Sequence, residues 1–149
     1  MTDVTGEMDL RHLVATMTPE LQPGRFVFAT VSDPHPEVWR HALMTFRESE
    51  GLTAIVDETI SERLRLTTTF RCRCITLSVH SSLDAVGFLA VVTRALARAG
   101  IGVNPVSACF HDHLFVADDK AEAALSVLQG LADSGSDGES LECLWPPVP

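Results

Sequence analysis

At 149 residues and 16.2 kDa, the chain is long enough for one compact domain or two small ones, and with 46% hydrophobic residues it can bury a core. Eleven basic against twenty acidic residues give a net charge of -9, which leaves no electrostatic footprint for a phosphate backbone and excludes nucleic acid as an expected partner. The opening MTDVTGEMD is acidic and polar, the opposite of a signal peptide, and no apolar run approaches the ~20 residues of a membrane span.

A soluble, cytoplasmic protein without membrane partners is therefore expected. Cys72, Cys74, Cys109 and Cys143 form no CxxC pair, so reduced thiols are the default reading. Met8 to Met17 is predicted as a short helix, with Leu10, Leu13, Val14 and Met17 on one face. Pro19 ends it, and Pro23-Gly24 marks a turn. The run RFVFATV, Arg25 to Val31, is apolar and of strand length. SDPHPE is a loop, and Pro36 suits the first position of a short helix reaching about Met44. FRESEG reads as a polar turn, LTAIVD as a strand, and Glu58 to Leu66 as another short helix.

Phe70 to His80 is the next predicted strand, with Ile75, Leu77 and Val79 on one side and Thr76, Ser78 and His80 on the other. Cys72 and Cys74 share the second side, a mixed surface suited to pairing. A long helix then runs to about Ala99. Ala85, Phe88, Leu89, Val92, Leu96 and Ala99 form its stripe, and Ser81, Ser82 or Asp84 caps its start. Gly100 is its stop signal. Two strands follow, about Gly102 to Phe110 and Leu114 to Ala117, joined around His111-Asp112-His113. Pro105 cannot donate to a ladder and so belongs on an edge strand. A last helix carries Ala121, Ala124, Leu125 and Leu128. SGSDGES is a linker by composition, and Leu141 to Trp145 is either a closing strand or a loose end.

Phe46 to Leu64 and Phe110 to Leu125 repeat one order: turn, apolar strand, acidic residues, helix. Each is preceded by a strand and a helical stretch, so the chain reads as two tandem halves with the first abbreviated. The expected divisions are 8–68, 69–132, and a linker and tail at 133–149.

The stretch SVHSSLDAVGFLAVVTRALARAGIGVN resembles the opening of an ACT domain, with Gly87, Gly100, Ile101 and Asn104 in the family's places. Val86 stands where the family most often has proline. FRESEGLT, ITLSVHSSLDAVG and HDHLFV resemble blocks of short bacterial ACT-containing proteins, and the resemblance spans roughly Asp9 to Leu131. It implies an α+β class, a ferredoxin-like βαββαβ architecture, and a small-molecule-binding regulatory module whose ligand is an amino acid.

The turn from Ser81 to Gly87 is the leading candidate site. A helix N-terminus exposes unpaired N–H groups that suit a carboxylate, and a glycine lets a ligand or a neighbouring strand come close. Gly87, read as a residue of the first helical turns, would accept alanine in the absence of ligand. The resemblance implies ligand contacts at Ser82, Asp84, Val86, Gly87 and Asn104, with Asp84 or Asn104 receiving an ammonium. His111 and His113 either border the pocket or belong to turn structure, with Asp112 making the turn. Two histidines at this spacing, with His80 or Cys109, invite a metal reading, but this is not a recognised metal signature, so neither metal nor cofactor is expected. Arg47 in FRESEG is open to carboxylate binding or to plain solvation.

No GxSxG, Walker loop, GxGxxG or HExxH is present, so no catalytic residue is assigned and an enzyme is not expected. The leading reading is an amino-acid-binding regulatory protein, active as a homodimer through ligand-dependent contacts. The alternatives are a dimerisation or adaptor module without ligand, and a small enzyme with its site at the His111–His113 hairpin.

Overall fold

The computed structural model describes residues 5–32 and 35–135. The chain folds into two compact units, one formed by Pro23–Arg73 and the other by the segments up to Gln22 and from Cys74 onward. The expected division at residue 68 puts Met8 to Gln22 in the first half; in space this segment belongs with the second.

The Pro23–Arg73 unit runs β2 (Phe26–Val31), α2 (Pro36–His41), β3 (Met44–Glu48), β4 (Gly51–Asp57), α3 (Glu58–Leu64) and the first part of β5 (Thr67–Leu77). That is a full βαββαβ set with antiparallel strand order β3-β4-β2-β5. The abbreviation lies in the helices, which are 6 and 7 residues long. Val27, Ala29 and Val31 alternate inward along β2 and meet Leu52, Ala54 and Val56 of β4 under Val38 of α2. Pro36 opens α2 as expected, and the Asp57 carboxylate caps α3 by accepting from the Thr59 N–H at 2.8 Å. FRESEG is not a loop: Met44–Glu48 is an edge strand paired with β4 and turned at Ser49–Glu50. Phe70, at φ 51, is skipped in the β2–β5 register and forms a bulge, its ring edge-on to Phe28 at 5.7 Å.

The other unit comprises α1 (Leu10–Thr16), β1 (Pro19–Leu21), the end of β5, α4 (Phe88–Arg98), β6 (Val103–Ser107), β7 (Asp112–Ala117), a short 3-10 turn at Asp118–Lys120, and α5 (Ala121–Gly135). β5 lies between β1 and β7, and β6 is the edge beyond β7, where Pro105 falls as its chemistry requires. β1 was not expected. Pro19↔Leu77 and Leu21↔Ile75 pair it antiparallel to β5, in the place a fourth strand of βαββαβ would take. The chain segment ahead of the first unit thus completes the sheet of the second. Leu141 to Trp145, the expected closing strand, lie outside the described residues.

Leu13 and Val14 of α1, Val91, Val92 and Leu96 of α4, and Ala124 and Leu128 of α5 close over Ile75, Leu77, Leu114 and Val116. α5 continues through Ser134 and Gly135, past the expected end of the domain. Cys74 and Thr76, expected on an open surface, are buried, and burial pushes the Cys74 thiol up.

Candidate functional site

β5 ends at Leu77 and α4 begins only at Phe88, so Ser81 to Gly87 is a loop and not the first turn of the helix. Two local features explain the late start. The Ser82 N–H is already given to the Glu7 carbonyl at 2.9 Å, and the Ser82 hydroxyl accepts from the Asp84 N–H at 3.2 Å, a serine turn rather than a helix cap. Gly87 then takes φ 95, a left-handed conformation that ends the loop and sets the helix direction. Gly87 is thus not within the helix, the premise on which acceptance of alanine rested, and a Cβ is strained at this φ.

The loop is pinned from the N-terminal side. Glu7 donates its N–H to the His80 carbonyl at 2.8 Å, making a single parallel bridge to Ser81. Gly6, at φ 61, lies so close that a Cβ there would fall 2.6 Å from the Ser82 nitrogen.

Behind the loop is a cavity of about 190 Å³. Ser81, Ser82, Leu83 and Ala85 wall it on one side, Gly87 to Ala90 on another, and Ser107 and Asp112 at the strand ends. No side chain caps α4, so the N–H groups of its first turn keep no helical partner. The Asp112 side chain sits on the strand wall at 5% exposure. Ser81 Oγ donates to its Oδ2 at 3.1 Å, and Ser107 Oγ to its Oδ1 at 2.5 Å. The hairpin turn itself is Ala108 to His111, closed by the Ala108 N–H on the His111 carbonyl; Asp112 is the first residue of β7 and does not make the turn.

Of the residues singled out in the sequence, the cavity brings together Ser82 and Gly87. Asp84 is exposed beside them, Val86 is 69% exposed, and Asn104 is exposed on β6, opposite Phe115. His111 Nδ1 lies 3.3 Å from the Val79 carbonyl, which can only accept, so that nitrogen carries the proton. His113 Nδ1 lies 3.0 Å from Thr76 Oγ1. Burial, and next the neighbouring His111, hold the His113 imidazole below its ordinary value, while Asp112 opposes them. Among the described residues, no group of three or more His, Cys, Asp or Glu side chains is placed to hold a metal ion, and no helix is long and apolar enough to cross a membrane.

Asp112 was missed. Its signal was present: counting back by two from Val116 and Leu114 puts it on the core side of its strand.

Two family models, each described as an ACT domain, match residues 5–73 and 69–130. A solved protein of unknown function from Vibrio cholerae, described as a possible transport protein, is 37% identical over 83% of this chain and 95% of its own, with a TM-score of 0.74. The chain belongs to the ACT domain family. It carries two tandem ACT domains built on antiparallel sheet. A protein from Agrobacterium tumefaciens shares the fold at 20% identity and a TM-score of 0.63, covering 78% of this chain and 89% of its own. The ligand-free regulatory subunit of aspartate kinase from Thermus thermophilus does so at 10% identity and 0.59, covering 79% and 97%. No curated protein matches this ACT chain in sequence.

Proposed function

We propose that this ACT protein is a regulatory module that binds a free amino acid at the Ser81–Gly87 turn and passes the event on through changed contacts, without catalysis. The observation that carries the reading is the uncapped first turn of α4 opening onto the cavity. Unpaired N–H groups at a helix N-terminus attract a carboxylate. The likeness to a regulatory subunit of aspartate kinase agrees with a regulatory role. Ser82 and Gly87 border the ligand from the loop. Asp84, Val86, Asn104, His111 and His113 lie outside the cavity lining, and their part is contact around the mouth or with a partner.

The working form in this proposal is a cytoplasmic homodimer. Leu83, Val86 and Phe110 are large apolar side chains left exposed on this ACT unit, which supports covering by a second copy. Light scattering at micromolar concentration tests it; a strictly monomeric mass rejects it. For binding, the proteinogenic amino acids are screened by thermal shift. A bound amino acid should stabilise the protein by about 2.7 kcal/mol at one hundred times its Kd. A screen in which none of them raises the melting temperature removes the reading.

A further inference from the structure

We infer that Asp112 is the ammonium acceptor of this site, and that the cavity admits a small, uncharged α-amino acid such as glycine, alanine or serine. The inference rests on the amino-acid reading above and assigns the half of the ligand that the α4 N-terminus cannot recognise.

Asp112 is a carboxylate at 5% exposure that lines a cavity. Among the described residues it has no Lys or Arg partner; the two side-chain hydrogen bonds it accepts come from neutral hydroxyls. Buried charges are ordinarily paired, because desolvation is costly and two neutral hydrogen bonds return only part of it. Each carboxylate oxygen takes one hydroxyl proton and keeps a further lone pair. Ser81 and Ser107 spend their only protons on Asp112, so what they present to the cavity is also lone pairs. The strand wall therefore offers acceptors alone, and the helix wall offers N–H donors. Acceptors on one wall and donors on the other complement an ammonium and a carboxylate held on one small molecule.

Size narrows the class. About 190 Å³ is below the roughly 300–1,000 Å³ of pockets that take drug-sized ligands. Leu83, Ala85, Phe88 and Leu89 supply apolar walls and the lining holds no charge besides Asp112, so a long or ionised side chain would have to leave the lining through the mouth.

The test uses the full chain and calorimetric titration with glycine, alanine and serine. Acetate and propionate serve as amine-free probes, and lysine and aspartate as charged ones. Wild type should bind at least one of the three small amino acids, about tenfold or more tighter than its amine-free counterpart, the discrimination expected from a charge-assisted hydrogen bond. Asp112→Asn, nearly isosteric, should lose about tenfold or more of that affinity while still unfolding cooperatively. Equal affinity in Asp112→Asn overturns the inference and leaves the amino-acid reading standing, as does binding of lysine or aspartate in preference to the small ones. Failure of every amino acid to bind removes both. If Asp112→Asn does not fold, the wild-type comparison of alanine with propionate decides: equal binding of the two overturns the assignment.

Discussion

The two ACT units place different chemistry at matching points of one topology. In the Pro23–Arg73 unit, β2 reaches α2 through residues 32–35, and the helix opens on His35, whose ring accepts the Glu37 N–H at 3.2 Å. Glu37 adds a carboxylate of its own to that turn. In the other unit, β5 reaches α4 through residues 78–87, and the helix opens on Gly87 with no side-chain cap. A second difference lies where β4 and β7 each run into a helical turn. Aligned at that junction, Asp112 falls on Leu52 and His113 on Thr53. Leu52 is part of an apolar core, whereas Asp112 is a carboxylate on a cavity wall. One unit satisfies its helix end and fills its strand end; the other leaves both available. The two units therefore share a topology and differ in the chemistry they place at these two points, which is where the proposed site lies.

The largest expected effect tests the cores on which both units stand. Leu96 in α4 has no exposed surface, and Leu96→Ala should cost about 2–5 kcal/mol through lost burial and a residual cavity. Val38→Ala, at the equally buried centre of α2, removes two methyl groups, one carbon fewer than Leu96→Ala, and should cost about 1.5 kcal/mol, at ~0.8 kcal/mol per methyl-sized group. Urea midpoints measure both; equal losses would contradict the view that the shorter helices carry the smaller core.

Next in size is Gly87→Ala. At φ 95 an alanine is strained, and the variant should lose about 1–3 kcal/mol with no ligand present. His35→Ala, at φ -76 in the matching cap, keeps an ordinary backbone and should lose under about 1 kcal/mol. A stabilised Gly87→Ala, measured by thermal melting, would mean that the loop reaches α4 by another path.

How far the sequence disclosed these points follows from how local each one is. Apolar runs of strand length such as RFVFATV and LTAIVD, and the Phe88–Leu96 stripe, carry their signal within a few residues, and they form the strands and helix expected of them. β3 escaped because an edge strand needs no buried face: Phe46 is 61% exposed, and its neighbours are polar. β1 escaped because three residues carry no period, and its partner on β5 lies more than fifty positions away. Gly87 was placed inside the helix because its sign of φ is invisible in sequence. The cavity was the least legible, since Ser81, Ser107 and Asp112 meet only through a loop, a register and a contact 31 residues long.

A smaller effect belongs to the ion pair of the first unit. Arg63 Nη2 meets Glu37 Oε2 at 2.7 Å, tying α3 to the first turn of α2. Both side chains are partly solvated, so Arg63→Ala should cost about 0.2–1 kcal/mol, less at high salt. A loss well above that range in denaturant titration would show that the Glu37 carboxylate has a larger part in closing the α2 end than solvent-screened pairing provides.

The smallest effect separates the units by pH. His113 is held below its ordinary value of 6.5, chiefly by burial, while the matching position in the first unit is Thr53, which does not titrate. Above about pH 6.5 the imidazole is neutral in both folded and unfolded chains and costs nothing. As pH falls through 6.5 the unfolded chain takes up the proton first, so stability declines between the unfolded and the lower folded value. His113→Gln keeps a partner for Thr76 Oγ1 and removes the titration, so its melting temperature should fall less than that of wild type between about pH 7 and about pH 5. Parallel melting curves for the two proteins across that window would show that His113 protonates freely in the folded state, and that the pH response of this unit lies elsewhere.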